Sequence, residues 1–201
     1  MAANLKLSVK ELELVTDAEI ILTKNRIIAI VQDLYAELIP KYTDILQNLR
    51  TSLPHEALDV PPKISKGEQY EGLPYVMFDY PRFFSKQDVF AVRSFFWWGN
   101  FFSISLHLEG RFKTRFQENI QRSIKNGHFA GYYYCVNSNP WKHDFSENNY
   151  VNLGSVDMDQ LANAAFIKLA IKLPLKDWDE AVPFYEKCFY QLMEQLSTEE
   201  L

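Results

Sequence analysis

Apolar residues Ile20, Ile21, Ile27, Ile28, Ile30, Val31, Leu34, Leu38, Ile45, Leu46 and Leu49 recur at helical spacing. The run Thr16-Asp-Ala-Glu19 ahead of them has the spacing of a capping box. Pro40 lacks an N–H and crowds the turn before it, so the pattern predicts a kinked helix or two helices meeting near residue 40. A second box, Ser8-Val-Lys-Glu11, predicts a short helix upstream, and residues 8–51 read as an N-terminal helical layer. Residues 52–74 carry Pro54, Pro61, Pro62, Gly67, Gly72 and Pro74 and read as an irregular connection, long for a compact domain.

Residues 75–201 alternate between the periods of strand and helix. Tyr75 to Asp79 reads as a short strand stopped by Pro81. Val89–Trp98 and Phe101–Leu108 are rich in aromatic and β-branched residues and flank Gly99-Asn100, which predicts a hairpin with a two-residue type II′ turn. Phe112, Phe116, Ile120 and Ile124 mark one helical stripe, ended by Gly127. Gly131 to Val136 reads as a further strand, and 137–150 as a polar loop. A short helix is expected from Asp157. Ile167, Leu169, Ile171 and Leu173 alternate with Lys168, Ala170 and Lys172 as a strand does. Val182 to Leu196 closes the chain as a helix. Hairpin-linked strands with helices before and after them predict an α+β class: one domain, residues 1–201, with an antiparallel or mixed sheet and helices packed mainly on one face.

With an unslipped turn at Gly99-Asn100, Trp98 opposes Phe101 and the hairpin divides into two faces. Trp97, Phe102, Phe95, Ile104, Leu106, Ala91 and Leu108 form a core face in which Arg93 is the misfit. A buried guanidinium needs a counter-charge, and Asp79 on the neighbouring strand is the candidate. The other face carries Trp98, Phe101, Phe96, Ser103, Ser94, Ser105, Val92 and His107. Rings supply area and hydroxyls orientation, which is what a small-ligand surface needs and what a packed helix also accepts.

Composition adjusts this picture in one respect: Phe, Tyr and Trp make up 15% of 201 residues, a surplus the hairpin alone does not absorb. A formal charge of −5 provides no general attraction to phosphate backbones, so no nucleic-acid partner is expected. No apolar run approaches the length of a membrane span, and no signal-peptide h-region opens the chain, so a cytoplasmic protein without membrane contact is expected. Cys135 and Cys188 are isolated and read as reduced, buried small hydrophobes.

Candidate chemistry is sparse. No cofactor fingerprint, phosphate loop, nucleophile elbow or zinc-ligand spacing occurs, so cofactors stay unassigned and no metal site is expected. The most suggestive polar stretch is Asn137-Ser-Asn-Pro-Trp-Lys-His-Asp144, which follows a strand and gathers Trp141, His143 and Asp144. The leading expectation is a domain binding a small molecule or a protein through Trp98, Phe101, Phe96, Ser103, Ser105, His107 and Arg93 together with that loop. The alternative is a hydrolase-type enzyme assembled from His107, His128, His143, Asp144 and Arg93. Self-association through the N-terminal helices is a further expectation.

The segments Lys63-Ile-Ser-Lys-Gly-Glu-Gln-Tyr70, Gly72-Leu-Pro-Tyr75, Asp79-Tyr-Pro-Arg82 and Phe96-Trp-Trp-Gly-Asn100 resemble a family of bacterial proteins without an assigned activity. The resemblance covers about a third of the chain. It implies a bacterial cytosolic protein and brings no catalytic residues with it.

Overall fold

The computed structural model describes residues 5–197. Helix α1 spans Val9–Thr16 and opens on the Ser8–Glu11 box: Ser8 Oγ accepts the Glu11 N–H, and the Glu11 carboxylate accepts the Ser8 N–H at 2.7 Å. Helix α2, Ala18–Asn48, is capped by Asp17 rather than Thr16. Thr16 instead closes α1, its hydroxyl donating to Leu12 O. Pro40 lies inside α2, which continues as one helix. Its buried stripe of Ile28, Val31, Tyr35, Leu38, Tyr42 and Leu46 explains why. A proline costs about 3 kcal/mol in a helix interior, whereas each large apolar side chain contributes ~1.5–3 kcal/mol when fully buried.

After a single-turn helix α3, His55–Leu58, come β1 (Lys63–Tyr70), β2 (Leu73–Phe84), β3 (Val89–Trp97) and β4 (Phe101–Glu109). Helix α4 (Arg111–Lys125), β5 (Tyr133–Cys135), β6 (Tyr150–Asn152), α5 (Met158–Asn163), β7 (Phe166–Pro174) and α6 (Ala181–Ser197) complete the order. The seven strands form one antiparallel sheet in the order β1-β2-β3-β4-β7-β5-β6. This is the α+β class that the alternation of periods predicts.

Three strands correct the sequence reading, one of them β6, which begins at Tyr150 where only the end of a polar loop is expected. β1 lies inside the expected irregular connection, as an edge strand whose exposed Lys63, Glu68 and Gln69 give no apolar alternation to read. β2 passes Pro81 rather than stopping there: the register shifts between Asp79 and Arg82, so the residue without an N–H sits where the ladder is interrupted.

The hairpin departs from expectation by one residue. Trp97, not Trp98, pairs with Phe101, and Trp98-Gly99-Asn100 forms a three-residue loop. Asn100 N–H donates to Trp97 O at 3.0 Å, and Gly99 takes φ +71°, a conformation that costs a residue without Cβ little. A one-residue slip exchanges the faces of one strand relative to the other. Arg93, Phe95 and Trp97 therefore share a face with Phe101, Ser103, Ser105 and His107, while Phe96, Val92 and Ser94 join Phe102, Ile104 and Leu106.

Helices α2, α4 and α6 cover the Phe96/Phe102 face and bury the main core against it. Three tyrosines tie the layers together. Tyr185 OH donates to Phe95 O at 3.1 Å and lies 2.9 Å from Tyr35 OH, and Tyr42 OH lies 3.2 Å from Ser94 Oγ. Each ring is wholly buried with its hydroxyl satisfied, so much of the aromatic surplus is core. The opposite face is covered by residues 136–149, the connection from β5 to β6. Phe145 of this segment packs on Phe101, Tyr133 and Tyr150.

Candidate functional site

Polar side chains of three central strands converge beneath the 136–149 segment. Arg93 on β3 lies opposite Ser105 on β4, and His107 on β4 lies opposite Lys168 on β7. Asp79, opposite Arg93 on β2, accepts two hydrogen bonds from the guanidinium, from Nε at 2.7 Å and from Nη2 at 2.9 Å. This bidentate pair is the counter-charge expected from the sequence, and it leaves Arg93 Nη1 free to turn toward the covering segment.

There Nη1 meets His143 Nε2 at 3.2 Å. A guanidinium only donates, so Nε2 accepts and the ring proton of a neutral His143 sits on Nδ1. Burial lowers the His143 pKa well below its usual value, and the nearby charges of Lys168 and Arg93 act in the same direction. The segment is held at its backbone too: Tyr70 OH accepts the N–H groups of His143, at 2.7 Å, and Asp144. The His143 ring stacks on Phe95.

Lys168 is only 2% exposed. Its ammonium donates to Pro140 O at 2.6 Å and Lys142 O at 2.7 Å, tying the segment to β7. Among the described residues no carboxylate stands within ion-pair distance of it. Burial pulls its pKa down to about 7; Cys135 and Asp144 oppose the shift and Arg93 adds to it. The two carbonyls favour the cation and oppose that shift.

His107, opposite Lys168, packs edge-on against Trp141 and Phe166. Burial, followed by the charges of Lys168 and Arg93, lowers its pKa to about 3, so the ring is neutral at physiological pH. Glu109 Oε2 lies 3.4 Å from Nε2 but without hydrogen-bond geometry, and with a neutral imidazole this contact is no ion pair. Among the described residues, His107 Nε2 is the one fully buried side-chain nitrogen or oxygen without a hydrogen-bond partner in the protein.

Arg93, Ser105, His107, Pro140, Trp141, His143 and Lys168 surround a cavity of about 10 Å3. That is room for one water-sized body. A larger open cleft of about 520 Å3 lies at the C-terminal end of β5 beside α5, lined in part by Cys135, Asn137, Ser138, Asp159, Gln160 and Phe166. Size favours the cleft. The chemistry favours the small cavity, because the buried cation and the unmatched imidazole nitrogen both belong to it.

Of the residues expected from the sequence, the fold brings Arg93, Ser105, His107, Trp141 and His143 together. Phe101 and Ser103 lie on the same face, where Phe101 packs on Trp97 and Phe145. Phe96 and Trp98 do not belong with them: both pack with the helix-side core, displaced there by the one-residue slip. The Asp144 side chain is bound locally, accepting from Ser146 and Asn149. His128 is exposed just beyond α4, apart from the other histidines. No group of three or more His, Cys, Asp or Glu suited to a metal ion occurs among the described residues.

Lys168 is the residue that sequence reasoning missed. Its place in the alternation of β7 marks it as pointing away from the helices, which is correct, and solvent is the default for that side. Only the return of the 136–149 segment buries it, and no local signal announces that return. Comparison with known proteins adds no further constraint: no family model, no curated protein and no solved structure matches the chain.

Proposed function

We propose that this protein is a small-ligand binding domain whose ligand is a compact monoanion held between Lys168, His107 and Arg93 beneath residues 136–149. The observation that carries this reading is the pairing, among the described residues, of a buried ammonium with no carboxylate at ion-pair distance and a buried imidazole nitrogen with no hydrogen-bond partner, on the wall of one cavity. A desolvated charge is costly unless compensated, and a buried polar atom without a hydrogen bond costs ~1–3 kcal/mol. One anion answers both: it neutralises Lys168 and accepts an N–H from His107 in its Nε2-protonated tautomer. Arg93 is neutralised by Asp79 and acts as the fixed wall that orients His143.

The size of the cavity limits the ligand to a halide, or to the carboxylate end of a molecule that the segment admits by lifting. Hydrolysis is less well supported. Among the described residues no serine or cysteine is hydrogen-bonded to His107 or His143, so neither imidazole has a nucleophile to activate.

Thermal unfolding at pH 6 in chloride or formate, at constant ionic strength set by a bulky anion, tests the reading. At a ligand concentration of a hundred times Kd, binding to the folded state contributes about 2.7 kcal/mol. That is a rise in Tm of roughly 5–10 °C for a chain of this size. The rise is expected to saturate, to shrink as pH climbs through the Lys168 pKa, and to vanish in His107→Phe. A Tm that is indifferent to both anions refutes it.

A further inference from the structure

Residues 5–30 present an apolar surface that no other described residue covers. α1 has no buried residue, and in α2 the buried stripe begins only at Ile28. Leu5, Val9 and Val15 are 91%, 77% and 69% exposed, and Leu7, Leu12, Leu14, Ile20, Ile21, Leu22 and Ile30 are exposed as well. Together these side chains present on the order of 1,000 Å2, spread around α1 and the start of α2, where the largest single apolar patch of a typical monomer is roughly 300–600 Å2. A standard interface covers about 800 Å2 on each partner. An eight-residue helix is also marginal in water without packing.

We infer that this surface pairs with the same surface of a second copy, α1 against α1 in antiparallel orientation. Two features select a copy over other occupants. The first is charge balance. Lys6, Lys10, Lys24 and Arg26 offset Glu11, Glu13, Asp17 and Glu19 over this stretch, so it carries no net attraction to anionic lipid. The second is self-complementarity. Val9, Leu12 and Val15 recur every three residues on one side of α1, with Lys10 and Glu13 along one flank of that stripe. In an antiparallel pair with two-fold symmetry the same flank of both helices meets. With the axis passing between Glu11 and Leu12, Lys10 of each copy stands level with Glu13 of the other. Two ion pairs then border a shared apolar seam. Neither side chain makes an ion pair within its own chain among the described residues.

Sedimentation velocity of the full chain over a concentration series tests this inference. The wild type is expected at twice 23.6 kDa, dissociating on dilution. Val9→Gln, Leu12→Gln and Val15→Gln in one chain are expected to give a monomer; all three residues are exposed, so the core is untouched. Lys10→Glu and Glu13→Lys are each expected to weaken self-association by about tenfold. An equimolar mixture of the two, or both changes in one chain, is expected to restore it. A monomeric wild type overturns the inference. So does a dimer unaffected by the glutamine substitutions, or charge variants whose defects neither mixing nor combination repairs.

Discussion

At the scale of single residues, the 136–149 segment alters the chemistry of what it covers. His107 in water binds a proton near pH 6.5, but in the fold desolvation and the facing charges of Lys168 and Arg93 move this to about 3. The unfolded chain therefore holds the proton more tightly between those two values, and stability contributed by neutral His107 is lost as pH falls from 6.5 toward 3. One pKa unit corresponds to about 1.4 kcal/mol, so the full effect is a few kcal/mol. His107→Phe keeps the ring contacts with Trp141 and Phe166 and removes the titration. Urea unfolding at pH 7 and pH 4 is expected to show a smaller loss of stability in His107→Phe than in wild type; equal losses contradict the assignment. Lys168 acts in the same sense at higher pH, its lowered pKa favouring the folded state as pH rises from about 7 toward 10.5.

At the scale of elements, junctions decide which side chains meet. The β4–α4 junction turns on Gly110, which has φ +60° and against which Gln87 and Asp88 close. A Cβ there collides with both Gln87 O and Asp88 Oδ1, and Asp88 Oδ1 itself accepts the Arg111 N–H at 2.9 Å. Gly110→Ala is expected to destabilise the protein by more than ~2 kcal/mol, from backbone strain together with displacement of this contact. Chemical denaturation measures it, and a change under ~0.5 kcal/mol, the range of an ordinary surface substitution, contradicts the account. The Trp98-Gly99-Asn100 loop shows what the sequence does and does not reveal at this scale. Strand identity is legible from the aromatic and β-branched runs, but register hangs on whether the loop holds two residues or three. The choice between Trp97 and Trp98 as the last paired residue moves every β4 partner by one. The Arg93–Asp79 pair is legible because a desolvated guanidinium demands a carboxylate. That His107 shares its face is not, since it follows from the slip alone.

At the scale of the whole molecule, the sheet has two unlike faces. One is a conventional core under α2, α4 and α6, and its helices announce themselves through apolar stripes at three- and four-residue spacing. The other is roofed by an irregular segment held through Lys168, Tyr70 and Arg93, and its contacts span up to 74 positions of sequence. No periodic signal marks a roof of this kind, which is why the polar run 137–144 is visible in sequence as a candidate while its target is not. The roof explains why charged and polar groups sit on a central sheet face with little access to water. It also gives the anion reading its physical basis, since a lysine is costly to bury and Lys168 has two carbonyls and, among the described residues, no carboxylate at ion-pair distance. On this reading Lys168 has an anionic partner in solution. The most direct test is a crystal structure determined from bromide-soaked crystals, with anomalous scattering used to locate the ion. An anomalous peak in contact with Lys168 Nζ and His107 Nε2, lost in His107→Phe, is the predicted result; bromide found only at the molecular surface contradicts it.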